Sequence, residues 1–225
     1  LSHDHHYVTI FPLDGAADAV SAMVGTEGFL MDMILKPEAV ERALAAFMRI
    51  WVECFEEFAG IIAEGGNAGG VGWAAIWAPG TTFPIQEDCS YMISNEMFRR
   101  FCLPHIRTMV DVMDYGFYHL DGIGGLTHLD SLLEIESLKA IQWQPGAGKE
   151  RLDQWYDVLR HILDQGKSVQ VYARPDEIDG LVANVGTRGL LAVIGGATCD
   201  EAEMLMEKYG AGEGESTRPA VGARH

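Results

Sequence analysis

Short apolar segments alternate with longer amphipathic ones along this chain, and the alternation restricts the possible folds more than any other feature. Six segments have the length and the β-branched or aromatic content of buried strands, and a helix-like segment follows each of them. These are residues 7–13, 71–77, 115–120, 140–143, 168–173 and 190–194. Repeated strand–helix units with apolar strands predict an α/β fold, in which helices cover both faces of a parallel sheet.

Two architectures satisfy this pattern, an open doubly wound sheet and a closed (β/α)8 barrel. A barrel needs eight units and typically about 250 residues, whereas the chain offers six units in 225 residues. No Gly-x-Gly-x-x-Gly follows the first predicted strand, which disfavours a dinucleotide-binding sheet. In both architectures the functional site lies at the carboxyl ends of the strands.

Capping residues and prolines mark the ends of several predicted helices. Pro37 begins a long helix whose apolar residues recur at helical spacing. Ser94 is predicted to cap a helix that reaches residue 113 and that Pro104 kinks or splits. Thr198 and Glu201 form a capping-box pattern at the start of the last helix.

The composition limits the classes of binding partner and the cellular compartment that we expect. The 33 acidic and 16 basic side chains give a net charge of −17, which disfavours nucleic acid and anionic membranes, because both are bound through clustered Lys and Arg. The four cysteines form no Cys-x-x-Cys pair, and neither a signal peptide nor an apolar run of membrane-spanning length is visible. We therefore expect a cytoplasmic protein with one domain over residues 1–209 and a disordered tail over 210–225.

The segment 115–122 places an imidazole and a carboxylate at the end of a predicted strand. His119 and Asp121 are two residues apart, so alternation puts both on the same face of the strand. Such a pair suits a metal site or general acid–base chemistry, and a hydrogen-bonded structural pair is the alternative.

Other polar and aromatic side chains are predicted to reach the same edge of the sheet. Glu87 or Asp88 could serve as a general base or as a metal ligand, and Arg174 could anchor a carboxylate. Gln142 and Tyr172 are candidates for hydrogen bonding to a substrate. The further candidates are Asp14, Gln144 and Cys199, with Trp77 and Trp143 as walls of an aromatic pocket.

Several short motifs, in order and spacing, resemble the uroporphyrinogen decarboxylase superfamily over about residues 7 to 209. They are Pro-Leu-Asp-Gly-Ala-Ala-Asp at 12–18, Gly-Thr-Glu-Gly-Phe-Leu-Met-Asp at 25–32, Lys-Pro-Glu-Ala-Val at 36–40, Asp-Cys-Ser at 88–90, Ile-Ser-Asn-Glu-Met-Phe at 93–98 and Leu-Pro-His at 103–105. The resemblance implies a (β/α)8 TIM-type barrel from which the first two βα units are missing. The chain would then be a fragment, a truncated relative, or a protein that borrows strands from a partner.

The superfamily contains uroporphyrinogen decarboxylases and zinc-dependent methyltransferases that act with corrinoid proteins and thiols such as coenzyme M. The decarboxylases carry an arginine-rich segment after the first strand and an aspartate after the second, and neither segment exists here. Their tyrosine after the third barrel strand falls near Ser21 or Ala22 and is missing as well. The resemblance therefore favours the methyltransferase branch.

The methyltransferase branch holds zinc with a His-x-Cys pair after the fifth strand and a cysteine after the eighth. The matching positions are His119, Asp121 and Cys199, and zinc accepts nitrogen, oxygen and sulfur ligands. The resemblance thus implies a zinc enzyme that transfers a methyl group from a small substrate to a corrinoid or thiol acceptor. Glu87, Asp88 and Asp121 would assist the reaction.

Two alternatives remain open at this point. One is uroporphyrinogen decarboxylation, in which an arginine anchors the substrate's carboxylates and an acid protonates the pyrrole. The other is a catalytically inactive barrel fragment that serves as an assembly module. Because missing strands leave sheet edges open, such a fragment should form homo-oligomers.

Overall fold

The strands of this protein form two separate sheets. The structure is a computed structural model, and it describes residues 8–66, 69–149 and 151–210. Strands β1 (Gly70–Gly72) and β2 (Ile76–Ala78) pair as an antiparallel hairpin. The five-stranded parallel sheet contains β3 (Pro84–Ile85), β4 (Gly116–Asp121), β5 (Leu138–Gln144), β6 (Ser168–Ala173) and β7 (Leu190–Ile194).

The parallel strands lie side by side in chain order, from β3 to β7, without a reversal. A doubly wound sheet reverses its strand order at a switch point, whereas the units of a barrel follow one another around the axis. The predicted α/β class with a parallel sheet is therefore confirmed. The uninterrupted order is compatible with part of a barrel.

Helices connect the strands and cover one face of the sheet. They are α1 (Ala16–Val24), α2 (Thr26–Leu35), α3 (Pro37–Glu64), α4 (Asn95–Phe101), α5 (Leu103–Asp111), α6 (Gly122–Gly125), α7 (Leu129–Leu133), α8 (Tyr156–Asp164), α9 (Ile178–Val185) and α10 (Cys199–Tyr209). Single 3₁₀ turns occupy Asp88–Met92, Leu126–His128, Leu152–Gln154 and Pro175–Glu177. Among the described residues, no helix is both long and apolar enough to cross a membrane.

The local signals for helix ends are confirmed. The Ser94 hydroxyl accepts a hydrogen bond of 3.2 Å from the Met97 N–H at the start of α4. The predicted long helix is split at Cys102, and Pro104 lies in the first turn of α5, where its missing N–H is not needed. Thr198 and Glu201 cap α10 reciprocally, as the capping box requires.

The two faces of the parallel sheet differ in chemistry. Tyr118, Ile141 and Val171 alternate outward into the buried core beneath the helices. On the opposite face, which we call the inner face, the register aligns His119, Gln142 and Gln170 across neighbouring strands. The turn of the β1–β2 hairpin lies against this inner face, since its Ala74 carbonyl contacts Gln170.

Two of the six predicted strands are wrong. Residues 8–13 form no strand; instead the Thr9 hydroxyl donates to the Val71 carbonyl at 2.6 Å, and residue 7 lies outside the described part of the chain. The predicted strand 71–77 is a hairpin that reverses at residues 73–75. The sheet's first strand, β3, falls in the predicted loop 79–91.

Helix α2 was not predicted as a helix, although its residues carry part of the quoted motifs. The predicted disordered tail, apart from residue 210, lies outside the described residues. Along β7 the sheet is less covered than elsewhere. A groove of about 900 Å³ there is lined by apolar side chains of β7, α9 and α10, among them Leu181, Leu190 and Leu205.

Replacing Ala75 by glycine should stabilise the protein. Ala75 closes the hairpin with φ of 53°, a left-handed conformation that costs a residue with a Cβ about 1–2 kcal/mol. Its side chain is exposed, so Ala75→Gly removes strain without losing packing, while glycine's greater freedom in the unfolded chain offsets part of the gain. We expect the free energy of unfolding in urea to rise by about 0.5 kcal/mol.

The matched control is Ala45→Gly at an exposed position within α3. There the same change should lower the free energy of unfolding by about 1 kcal/mol, because glycine is a poor helix former. Equal losses in the two variants would contradict a strained turn at Ala75.

Candidate functional site

A chain of side-chain hydrogen bonds crosses the inner face of the sheet. The His119 Nδ1 atom bonds to Gln142 Oε1, and Gln142 Nε2 donates to Gln170 Oε1 at 2.7 Å. Gln170 Nε2 then donates to the Ala74 carbonyl oxygen at 2.6 Å. This chain, which we call the glutamine relay, ties β4, β5 and β6 to the turn of the hairpin.

The Ala74 carbonyl fixes the direction of every bond in the relay, because a carbonyl oxygen can only accept. Gln170 must therefore present its amide NH₂ to Ala74 and its oxygen to Gln142. Gln142 in turn must present its oxygen to the imidazole, so His119 carries its hydrogen on Nδ1. In the neutral imidazole Nε2 then keeps a free lone pair, and no described residue forms a hydrogen bond with it.

The position of the imidazole is also fixed by an aromatic contact. The Trp73 ring meets the His119 ring edge to face, with centroids 5.0 Å apart and planes 72° apart. The Trp73 indole N–H donates to the Pro84 carbonyl at 3.0 Å, which ties the hairpin to β3. His119 is half-buried as a result, and a residue so restrained suits catalysis better than a mobile surface histidine.

Several carboxylates cluster around Asp88 at the carboxyl edge of the sheet. Burial and the charge of Asp18 raise the pKa of Asp88, the His119 charge opposes that rise, and the Asp121 and Asp14 charges add to it. Each of these groups therefore lies within electrostatic reach of Asp88. We call the four aspartates, Asp14, Asp18, Asp88 and Asp121, the acidic mouth.

Glu87 does not open into the acidic mouth, contrary to its predicted catalytic role. It is 1% exposed, and its Oε2 atom accepts the backbone N–H groups of Ala17 at 2.9 Å and Asp18 at 3.2 Å. Burial and the Asp18 charge raise the pKa of Glu87 well above its ordinary value, against the effect of the backbone donors. Glu87 thus holds the first turn of α1.

Glycine is required where Glu87 approaches α1. A Cβ on Gly15 would lie 2.0 Å from the Gln86 carbonyl oxygen and 2.6 Å from the Glu87 carboxyl carbon. Both separations are too short for real atoms, so any larger residue would push the two segments apart. The Asp-Gly of the quoted motif at 12–18 thus serves a close contact between two chain segments.

The zinc ligands implied by the resemblance are not assembled in this structure. His119 and Asp121 lie on β4, whereas Cys199 is the exposed first residue of α10, after β7. The ligand atoms of His119, Asp121 and Cys199 do not form a group within 4.8 Å of one another. Within the described ranges, one group of three metal-ligating side chains has all its ligand atoms within 4.8 Å of one another, and it is Asp18, Glu87 and Cys89.

The predicted substrate-binding residues do not form one cluster. Gln142 lies on the inner face, but the relay occupies both ends of its amide. Tyr172 and Arg174 are exposed at the end of β6, where a substrate can reach them.

Neither of the predicted tryptophan walls faces the inner side of the parallel sheet at its carboxyl edge. Trp143 is fully buried and faces outward, where it contacts Trp155 with ring centroids 5.3 Å apart. Trp77 is exposed on β2, because its segment is part of a hairpin and not of the parallel sheet.

His128, another histidine near the site, is structural. It is completely buried and stacked on Phe98 at 4.2 Å, and its Nε2 atom donates to the Ser90 carbonyl at 2.9 Å. Burial lowers its pKa, so the neutral form is favoured in the fold.

Sequence reasoning missed three residues that shape the site, Gln170, Trp73 and Asp18. Gln170 could have been found, since a glutamine in the middle of the apolar run 168–173 alternates with Tyr172 onto one face. Trp73 reaches His119 from the turn of the hairpin, and Asp18 binds the backbone of Asp88 and Cys89 about 70 residues away. No local pattern in the sequence indicates such contacts.

The chain was compared with models of protein families and with curated proteins, and no match was found in either comparison. The resemblance to the uroporphyrinogen decarboxylase superfamily therefore rests on the quoted motifs alone.

The glutamine relay should show strong energetic coupling between its two amides. Gln142→Leu leaves His119 Nδ1 and Gln170 Oε1 without partners, and Gln170→Leu leaves Gln142 Nε2 and the Ala74 carbonyl without partners. Each variant should therefore cost about 2 kcal/mol of unfolding free energy. The double variant removes both glutamines and leaves His119 and the Ala74 carbonyl unpaired, so its cost should fall short of the sum by about 1 kcal/mol or more.

Urea unfolding of the four proteins in this cycle measures the coupling. Gln144→Leu, a half-buried position of the same strand outside the relay, is the control and should change stability by less than about 0.5 kcal/mol. Costs that simply add in the double variant would show that the two amides do not interact.

Proposed function

We propose that this protein is an enzyme of the uroporphyrinogen decarboxylase superfamily, with its active site at the carboxyl edge of the parallel sheet. The strand order from β3 to β7 supports a partial (β/α) barrel, in which functional residues gather at that edge. The polar residues of the inner face, His119, Gln142 and Gln170, stand below the edge, and the acidic mouth lies around it.

The observation that carries the proposal is the orientation of His119. Two fully buried glutamines hold the Nδ1 side of one half-buried imidazole by hydrogen bonds. Its Nε2 lone pair stays free, near the carboxylate of Asp88. At His128, which is structural, Nε2 donates to the Ser90 carbonyl and Nδ1 lies 3.4 Å from the Thr127 hydroxyl, so both nitrogens face groups of the fold. His119 is instead arranged as a base that can accept a proton from a bound molecule.

The charge of the site favours a substrate that is not polyanionic. Four aspartates form the mouth, and Arg174 follows the end of β6. A tetrapyrrole with eight carboxylates would be repelled at short range. The charge of the site therefore disfavours uroporphyrinogen decarboxylation, which leaves methyl transfer as the branch of the superfamily that we propose.

In the proposed reaction a thiol binds with its sulfur near Nε2 of His119. The imidazole takes the thiol proton, and the resulting thiolate attacks a methyl group whose carrier, of the corrinoid class, leaves with the bonding electron pair. Gln142 stabilises the imidazolium through the Nδ1 hydrogen bond, and Tyr172 and Arg174 line the approach to the site. Zinc on His119, Asp121 and Cys199 takes no part in this reaction, because the ligand atoms of these three side chains do not lie within 4.8 Å of one another.

Methyl transfer from methylcobalamin to a small thiol tests the proposal. Cysteamine, a cationic thiol, should react faster than the anionic coenzyme M, since the mouth is acidic. Because general-base catalysis contributes about 10²–10⁴-fold, His119→Ala should lower the rate at least about 100-fold.

The control is His161→Ala, which removes an exposed histidine paired with Asp130 and should leave the rate unchanged. Uroporphyrinogen should not be decarboxylated. Decarboxylation of uroporphyrinogen, or the absence of His119-dependent methyl transfer to either thiol, would contradict the proposal.

A further inference from the structure

At the acidic mouth, the side chains of Glu87 and Asp18 each accept hydrogen bonds from the first backbone N–H groups of the helical segment that carries the other. Glu87 precedes the 3₁₀ turn Asp88–Met92, and its Oε2 atom binds the N–H groups of Ala17 and Asp18 in α1. Asp18 reaches back in return: its Oδ2 accepts the Asp88 N–H and its Oδ1 accepts the Cys89 N–H, both at 2.7 Å. Each carboxylate is held in place by two backbone donors from the other segment.

One acceptor is left over in this arrangement. Glu87 Oε1 is buried and forms no hydrogen bond, although the Oε2 atom of the same carboxyl group has two donors. Leaving a buried carboxyl oxygen unpaired costs free energy comparable to losing a hydrogen bond, about 1–3 kcal/mol. Native structures rarely retain such an atom unless something occupies its lone pairs.

A cysteine sulfur completes the cluster. The Sγ atom of Cys89 and one oxygen each of Asp18 and Glu87 lie within 4.8 Å of one another. The hydrogen bond from the buried Cys102 thiol to the Cys89 sulfur lowers the pKa of Cys89, but burial and the charges of Glu87 and Asp18 outweigh it, so the pKa of Cys89 is raised. The three ligand atoms therefore converge from α1 and from the turn after β3, and neighbouring groups orient all of them.

We propose that Asp18, Glu87 and Cys89 bind a divalent, thiophilic metal ion such as Zn²⁺, with one coordination position open. Two carboxylate oxygens and a thiolate form a ligand set that Zn²⁺ accepts, and the sulfur disfavours Mg²⁺ and Ca²⁺. The site differs from the set implied by the resemblance and does not depend on the proposed function.

The backbone contacts suit such a site. Hydrogen bonds to the outer lone pairs of ligating carboxylates are the usual way in which proteins orient metal ligands, and here backbone N–H groups supply them on both carboxylates. Three anionic ligands and a divalent cation leave one negative charge, which the positive ends of the two helical segments offset.

Binding of the metal is balanced by release of protons. The Cys89 thiol gives up its proton to solvent when the metal–sulfur bond forms, and a protonated Glu87 does the same at Oε1. Burial and nearby charge favour the protonated forms of both groups, so affinity should increase as pH rises.

Titration of the full chain with Co²⁺, in reducing buffer, tests the site, because a cobalt–thiolate bond produces a ligand-to-metal charge-transfer absorption. We expect one equivalent of Co²⁺ to give this band and Zn²⁺ to abolish it by displacement. Cys89→Ser should remove the band, and Glu87→Gln should weaken Co²⁺ binding at least about tenfold while keeping the sulfur ligand.

The control variants are Cys54→Ser and Cys199→Ser, in which the band should be unchanged. A wild-type protein without the band, or a band that survives in Cys89→Ser, would overturn the proposal. Loss of the band in Cys199→Ser would assign the metal to the other set of ligands. Circular dichroism verifies the fold of each variant, and if Cys89→Ser does not fold, the weakened binding of Glu87→Gln decides.

Discussion

The carbonyl oxygen of Ala74 determines the organisation of the inner face of the sheet. Because it can only accept a hydrogen bond, it sets the orientation of Gln170, then of Gln142, and finally the tautomer of His119. The carbonyl is placed by a hairpin turn that contains a left-handed alanine and a tryptophan bonded to β3. The strained turn of the hairpin thus controls the orientation of His119. The Nε2 atom of this histidine forms no hydrogen bond with any residue that the structure describes.

A second constraint operates at the start of the sheet. Glu87 and Asp18 each hold the first turn of the segment that carries the other, across a separation of about 70 residues in the chain. This exchange requires Gly15, since the two segments approach too closely for a Cβ. It buries one carboxylate and keeps Asp18 and Asp88 adjacent, which is why like charges accumulate beside His119. The aspartates therefore repel one another, and the same arrangement gathers them at one place on the sheet.

Local chemistry in the sequence predicted the features that depend on neighbouring residues. The Ser94 cap, the break near Pro104 and the capping box at Thr198 all follow from hydrogen bonds within three or four residues. Alternation correctly placed His119 on a strand end, and the α/β class followed from the apolar strands. The same alternation, applied to Gln142, also implies that Trp143 points away from the site.

The features that were missed depend on contacts between distant segments. A run such as 71–77 has the composition of one strand, and nothing in it shows that residues 73–75 reverse the chain with a positive φ at Ala75. Glu87 looked like a loop carboxylate because its partners, Ala17 and Asp18, precede it by about 70 residues. Cys199 was matched to a zinc ligand by its place after the last strand, whereas the structure places it exposed at the start of α10 and outside any group of ligand atoms that includes His119.

The tautomer of His119 is the most direct test of this account. A long-range ¹H–¹⁵N correlation spectrum of protein labelled at histidine, recorded at a pH where ordinary imidazoles are neutral, distinguishes protonated from unprotonated ring nitrogens. The signals of His119 among the eight histidines are assigned by comparison with His119→Gln. We expect a protonated Nδ1 and an unprotonated Nε2. A hydrogen on Nε2, or rapid exchange between the two tautomers, would contradict it.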